Sequence, residues 1–131
     1  MLKVTELQAI AEARLTDAEE LCRAKRFDGA VYLCGYAVEL KLKARACLTL
    51  GWPEFPATPG EFGPLKSFKT HDLGVLLHLS GRETLVKTKY FPEWSKLQPW
   101  DADIRYRVPG STLETEAENM VSAAKTLLSV I

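Results

Sequence analysis

Proline is absent from residues 1–52 of this 131-residue chain, and only two glycines, Gly29 and Gly35, come before Gly51. Because proline inside a helix removes a backbone hydrogen bond and clashes with the preceding turn, a long stretch without it favours long helices. Apolar residues recur at spacings of three and four from Val4 to Cys22, which is the pattern of a helix with one buried face. The stretch therefore predicts two long helices.

The second of these helices has apolar residues on nearly every side. Residues 30–37 are almost all apolar, and a helix that is apolar all round is buried in the middle of a bundle. A tight connection is predicted before it, with Asp28 as the N-cap, and Gly51 and Pro53 are predicted to end it.

The rest of the chain predicts shorter helices separated by the helix-breaking residues proline and glycine. Residues 51–64 contain seven Pro or Gly in fourteen positions and predict a long loop. Thr70 is the predicted N-cap of a third helix, and Ser111 with Glu114 is a predicted capping box for the last one. Four apolar residues in and after the loop are expected to pack back onto the bundle: Phe55, Phe62, Leu65 and Phe68. The predicted fold is a single domain over residues 1–131, an all-α, antiparallel up-and-down bundle of four to five helices.

The composition excludes several classes of protein. Seventeen basic and seventeen acidic residues give a formal net charge of zero, which argues against a generally basic nucleic-acid binder, although residues 66–107 carry eight basic residues against five acidic ones. No apolar run is long enough to cross a membrane and no signal peptide is visible, so we expect a cytoplasmic protein. No motif predicts a cofactor or a metal site. The three cysteines are expected to be reduced and mostly buried: Cys22, Cys34 and Cys47.

Polar residues at positions where core residues would be expected are the candidates for function. Glu39 and Lys43 lie one turn apart on the most buried helix, either as a structural ion pair or as part of a polar cleft or subunit contact. His71 and Asp72 stand at the start of the third helix, either as cap and surface residues or as an anion site. His78 is expected on the helix surface.

Arg105 and Tyr106 lie just ahead of the last helix, in the sequence Asp-Ala-Asp-Ile-Arg-Tyr-Arg of residues 101–107. They can bind a phosphate, a carboxylate or an acidic partner. The alternative is a structural role, with an arginine bridging helices and Tyr106 packed beneath it. Together, the candidate residues are expected around one polar cleft between the second helix and the start of the last: Glu39, Lys43, His71, Asp72, Arg105 and Tyr106.

Three of these segments resemble HEPN domains. Residues 27–39, with Ala-Val-Glu at their end and Lys43 four residues later, are similar to the second helix of that family. Thr-His-Asp-Leu at residues 70–73 is similar to its His-Asp-Leu helix start, and residues 103–106 resemble its C-terminal portion. The resemblance covers residues 5–130.

The resemblance implies a helical bundle that forms a homodimer, binds nucleotides or RNA, and pairs with a nucleotidyltransferase in toxin–antitoxin systems. Many HEPN proteins are metal-independent endoribonucleases that use an arginine followed four to six residues later by a histidine. No histidine follows Arg105 in this chain. We therefore expect a non-catalytic binding module for a nucleotide, RNA or a protein partner. The alternatives are a ribonuclease in which His71 or His78 replaces the missing residue, and a structural partner of a nucleotidyltransferase that docks on the two helices before Gly51.

Overall fold

The computed structural model describes residues 2–56 and 70–131. Its elements follow in the order β1 (Leu2–Lys3), α1 (Val4–Arg23), α2 (Phe27–Leu50), β2 (Glu54–Phe55), α3 (Leu73–Ser80), α4 (Glu83–Lys89), α5 (Phe91–Lys96), a 3-10 helix (Ala102–Tyr106) and α6 (Glu114–Val130). The predicted all-α class is confirmed, since helix dominates and the strands form a single short pair.

Helix α2 lies at the centre of the molecule. It packs against α1, α3, α6 and the 3-10 helix, and buried residues occur on all of its sides from Ala30 to Cys47. Such a helix contributes apolar surface to several neighbours at once, and each fully buried aliphatic side chain stabilises the fold by about 2 kcal/mol. The prediction that this helix is the buried middle of a bundle is confirmed.

The strand pair β1–β2 is a feature that the sequence analysis did not predict. The two strands are antiparallel, with Leu2 opposite Phe55. Gly51 ends α2 in the left-handed conformation (φ 71°), which reverses the chain so that the second strand returns to the first. Phe55 is buried, as expected. The other three residues expected to pack back onto the bundle lie outside the described residues, as does most of the predicted loop 51–64.

The predicted N-caps of α3 and α6 are each wrong by two residues. Asp72, and not Thr70, caps α3 by accepting the Val75 N–H at 3.1 Å, while the Thr70 hydroxyl accepts the Asp72 N–H. The N-cap of α6 is Leu113, with no side-chain cap. Ser111 therefore does not form the predicted capping box.

The N-cap prediction for α2 is also wrong, and the reason is a contact in the tertiary structure. Helix α2 begins at Phe27, which places Asp28 in its first turn. The carboxylate of Asp28 instead accepts the N–H groups of Gly110 and Thr112, at 2.6 and 3.1 Å. A side chain that caps a loop from another part of the chain is not available to cap its own helix.

The three cysteines are free, with Cys34 and Cys47 buried and Cys22 partly buried, as the sequence predicted. Burial raises the pKa of the Cys34 thiol to about 12. Within residues 2–56 and 70–131, no helix has the length and apolar character needed to span a membrane.

Candidate functional site

A buried carboxylate on the central helix is the focus of the candidate site. Glu39 is only 1% exposed. One of its oxygens lies 3.1 Å from the Lys43 ammonium and the other 3.0 Å from Nδ1 of His71. A charge taken out of water is tolerated where such partners compensate for its lost hydration. The three residues therefore form one hydrogen-bonded unit.

His71 connects the buried carboxylate of Glu39 to the surface of the protein. Its side chain is 61% exposed, while Nδ1 faces a carboxylate that can only accept a hydrogen bond. The proton of the neutral ring therefore resides on Nδ1, and Nε2 is left as an acceptor or base on the outer side. This arrangement can orient a ligand or accept a proton.

Lys43 is the other partner of Glu39 and is largely buried. Its ammonium also lies 5.3 Å from the centre of the Phe55 ring, a contact of the cation–π type. The strand pair thus covers this end of the site.

Two tyrosines continue the site along α2. Tyr32, Tyr36, Glu39 and Lys43 follow one another at spacings of four, three and four, which places them on one face of the helix. The rings of Tyr32 and Tyr36 are stacked, with an angle of 7° between their planes and 6.3 Å between their centres. Burial, and then the charge of Glu39, raises the pKa of Tyr36. We call these four residues the α2 stripe.

Arg105 and Tyr106 lie at the tyrosine end of the α2 stripe. The Arg105 guanidinium is 4.9 Å from the centre of the Tyr106 ring, and hydrogen bonds to Tyr106 and Tyr32 raise its pKa. Tyr106 is 74% exposed, so it is not packed beneath the arginine bridge that was one of the alternatives. Both side chains are open to solvent.

The structure therefore divides the predicted site residues between two groups. Glu39, Lys43 and His71 are in direct contact, with Asp72 beside them as the cap of α3. Arg105 and Tyr106 form a second group, and Tyr32 and Tyr36 lie between the two along α2. Sequence reasoning missed these two tyrosines, although their spacing from Glu39 was a signal that could have identified them.

The predicted cleft between α2 and the start of the last helix contains a different set of residues. Asp28 binds the loop at Gly110 and Thr112, and Arg107 contacts both Thr112 and Glu116, at 3.3 and 2.9 Å. Arg107, and not Arg105, is the arginine that forms a structural bridge. None of these side chains was among the predicted site residues.

A cavity of about 280 Å³ opens beside His71. Trp100 forms part of its wall and donates its indole N–H to the Tyr32 carbonyl at 3.2 Å. The indole packs so closely on Gly35 that no side chain fits at that position. The cavity is lined by His71, Asp72, Leu73, Gly74, Leu97, Gln98, Trp100 and Asp101.

His78 lies apart from this cavity, on the exposed surface of α3 near Glu83, as expected. In the two described ranges, no three His, Cys, Asp or Glu side chains are grouped in a way that could hold a metal ion.

Comparisons with known proteins add nothing to this geometry. No protein-family model, no curated protein and no solved structure matches the chain.

Proposed function

We propose that this chain is a HEPN-like, non-catalytic module that binds a nucleotide or RNA at Arg105 and Tyr106, beside the tyrosine end of the α2 stripe. The observation that carries the proposal is the position of Arg105, exposed and in contact with Tyr106 and Tyr32. Proteins that bind single-stranded nucleic acid combine cationic side chains for the phosphates with aromatic rings on which bases stack. Arg105 and Tyr106 supply one of each.

The charge around Arg105 supports this proposal. Among residues 2–56 and 70–131, Arg105 forms no ion pair with a carboxylate; its partners are the phenol groups of Tyr106 and Tyr32. An arginine that is not neutralised by the protein is available to bind phosphate with two parallel hydrogen bonds. Arg107, by contrast, is already paired with Glu116.

A binding titration with matched variants tests the proposal. We would follow the fluorescence anisotropy of a short labelled single-stranded RNA and compare Arg105→Ala with Arg23→Ala, an exposed arginine at the end of α1. Loss of one phosphate contact is expected to weaken binding about tenfold and to lower the slope of affinity against salt by about one. Arg23→Ala should change neither. Equal affinities for the two variants, or no binding of RNA, ATP or GTP by the wild type, would remove the proposal.

A second candidate, a ribonuclease with a rearranged site, is favoured by the contact between Glu39 and His71. A histidine oriented by a carboxylate is the usual form of a general base. Here Nε2 of His71 would take the proton of a 2′-hydroxyl while the 2′-oxygen attacks the phosphorus. The bond from phosphorus to the 5′-oxygen would break, and the 5′-oxygen would take its proton from water. The carboxylate partner of His71, Glu39, is buried, whereas Glu83, which lies near His78, is 38% exposed.

The two histidines provide the test of this second candidate. Total RNA is incubated with the wild type, His71→Ala and His78→Ala in the absence of added metal. A ribonuclease of this kind predicts cleavage by the wild type and His78→Ala and none by His71→Ala. Absence of cleavage by the folded wild-type protein would exclude it.

We also propose a homodimer, and a nucleotidyltransferase encoded beside it as the protein partner in a toxin–antitoxin system. The support for both is the resemblance of residues 27–43, 70–73 and 103–106 to HEPN domains. Light scattering after size exclusion measures the oligomeric state. Co-expression with a neighbouring nucleotidyltransferase, followed by co-purification, tests the partner. A monomer that binds no such partner would contradict both proposals.

A further inference from the structure

A cavity of about 320 Å³ opens between the turn that joins α1 to α2 and the loop that precedes α6. Its volume lies within the usual range for small-ligand pockets, about 300–1,000 Å³. The turn contributes Lys25, Arg26 and Phe27 to its lining, and the loop contributes Pro109 and Gly110. We call it the turn cavity; it brings two cationic residues and an aromatic residue together.

Hydrogen bonds fix both walls of the turn cavity. On one side, the Lys25 N–H donates to the Cys22 carbonyl at 3.0 Å. The Arg26 N–H donates to the Leu21 carbonyl at 2.8 Å. On the other side, two backbone N–H groups of the loop donate to the carboxylate of Asp28. The backbone around the cavity is therefore already ordered, and a ligand binds there without the entropic cost of ordering it.

Lys25 has a backbone conformation that is unfavourable for lysine. Its φ is 61°, in the left-handed region, where a residue with a β-carbon costs stability. The two hydrogen bonds of the turn are those of a Schellman motif, in which glycine is the usual residue at this position. The lysine therefore costs stability, and what it supplies in return is a positive charge at the edge of the turn cavity.

The protein does not neutralise the charges of Lys25 and Arg26. In the described part of the chain, neither side chain forms an ion pair or a hydrogen bond, and both are exposed. Asp28 also lines the cavity, but backbone N–H groups of the loop already bind both of its oxygens. The two cations are therefore available to bind a phosphate.

The turn cavity lies at the same end of α2 as Arg105. Asp28 in its wall and Tyr32, which bonds to Arg105, are four residues apart and share one face of the helix. Arg26 precedes Tyr32 by six residues, about 9 Å at the rise of an α-helix. Phosphates follow one another at about 3.4 Å along a stacked strand, so a few nucleotides of one strand cover this distance.

We infer that the turn cavity is a second nucleotide site and that the ligand is a single strand of RNA with three or more nucleotides. Proteins that bind single strands combine cations with aromatic rings. The turn cavity has Lys25, Arg26 and Phe27, and the first site has Arg105 and Tyr106. A free nucleotide occupies one of the two sites, whereas a strand occupies both. The inference rests on the proposed function and names the class of ligand.

The test measures the anisotropy of labelled oligouridylates of two and eight nucleotides. The wild type is expected to bind the octamer at least about tenfold more tightly than the dimer, because the strand joins two sites. Lys25→Gly and Arg26→Ala should each weaken octamer binding about tenfold and lower its salt slope by about one. Dimer binding should fall at most about twofold, the statistical loss of one of two sites. Lys89→Ala, which removes an exposed cation at the end of α4, is the control and should change neither.

Lys25→Gly carries a second readout, the melting temperature. Glycine adopts the left-handed conformation without the steric cost that lysine has, so the variant should melt at the same temperature as the wild type or a few degrees higher. Weaker RNA binding by a protein of equal or greater stability is the expected result. A lysine that serves the fold alone predicts a lower melting temperature and unchanged RNA binding, which would overturn the inference.

The outcomes separate this inference from the proposed function. Octamer binding that depends on Arg105 but not on Lys25 or Arg26 would overturn the second site and leave the proposed function standing. Octamer binding no tighter than dimer binding would do the same. Failure of the wild type to bind either RNA would overturn the inference, and the proposed function falls with it only if ATP and GTP also fail to bind.

Discussion

The carboxylate of Asp28 accepts the backbone N–H of Gly110 at 2.6 Å, although 82 residues separate the two. The same carboxylate also binds the Thr112 N–H at 3.1 Å. Hydrogen bonds from the Thr112 hydroxyl, from Gly110 and from the Thr112 backbone hold the pKa of Asp28 below its ordinary value of 3.8. The first turn of α2 is thereby attached to the loop before α6.

This contact predicts a pH-dependent loss of stability in Asp28→Asn. At pH 7 the free energy of unfolding of the variant should be about 1–2 kcal/mol lower than that of the wild type. The reason is that an N–H₂ group replaces one carboxylate oxygen and then faces a backbone donor. Since the folded pKa is lowered, the stabilisation is complete above about pH 4 and is lost as the pH falls through the folded value. Urea titrations at a series of pH values measure it. Asp103→Asn, an exposed acid, is the control and should show neither effect.

The buried unit of Glu39, Lys43 and His71 predicts a larger effect. Glu39→Ala removes the charge that compensates the largely buried Lys43 and leaves a cavity, so we expect a loss of about 2–4 kcal/mol in the free energy of unfolding. Glu83→Ala removes exposed ion pairs with His78 and Lys87 and should cost less than about 0.5 kcal/mol. Denaturation with urea provides the comparison; similar values for both variants would contradict a stabilising role for Glu39.

Gly35 and Gly29 offer a matched pair within α2. A β-carbon at Gly35 would overlap the Trp100 indole, whereas at Gly29 it would lie 3.2 Å from the end of the flexible Leu21 side chain. Gly35→Ala should therefore destabilise the protein by about 2 kcal/mol or more despite its better helix propensity. Gly29→Ala should be close to neutral. Tryptophan fluorescence during unfolding reports both the stability and the displacement of Trp100.

Native thiol reactivity follows from burial. Burial raises the pKa of Cys34 to about 12 and also raises that of Cys47. Cys22 is only partly buried, and its pKa is raised by desolvation and by Glu118 and Glu114. At pH 8 we expect an aromatic disulfide reagent to modify at most Cys22, slowly, because the thiolate is the reactive form. All three thiols should react in denaturant, and rapid modification of two or more in the native protein would contradict this.

The helices could be predicted from the sequence because their signals are local. The absence of proline before residue 53 and the apolar residues all around positions 30–37 specified two long helices and placed the second at the centre. The ends of the helices were predicted less well, because a cap can be recruited by a distant loop. Asp28 is of a residue type that is common at N-caps and precedes an apolar segment, but only the folded chain brings Gly110 to it.

The sequence alone determined the all-α class, the central helix, and the contact of Glu39 with Lys43, which one helical turn imposes. Tertiary structure decided the rest: His71 reaches Glu39 across 32 residues, Trp100 closes on Gly35, and Arg107 rather than Arg105 forms the bridge to α6. These contacts depend on how the helices pack, and helix packing sets distances between residues that are remote in sequence and share no local pattern. Spacing along one helix can be read from the chain, whereas proximity between helices exists only once the core has formed.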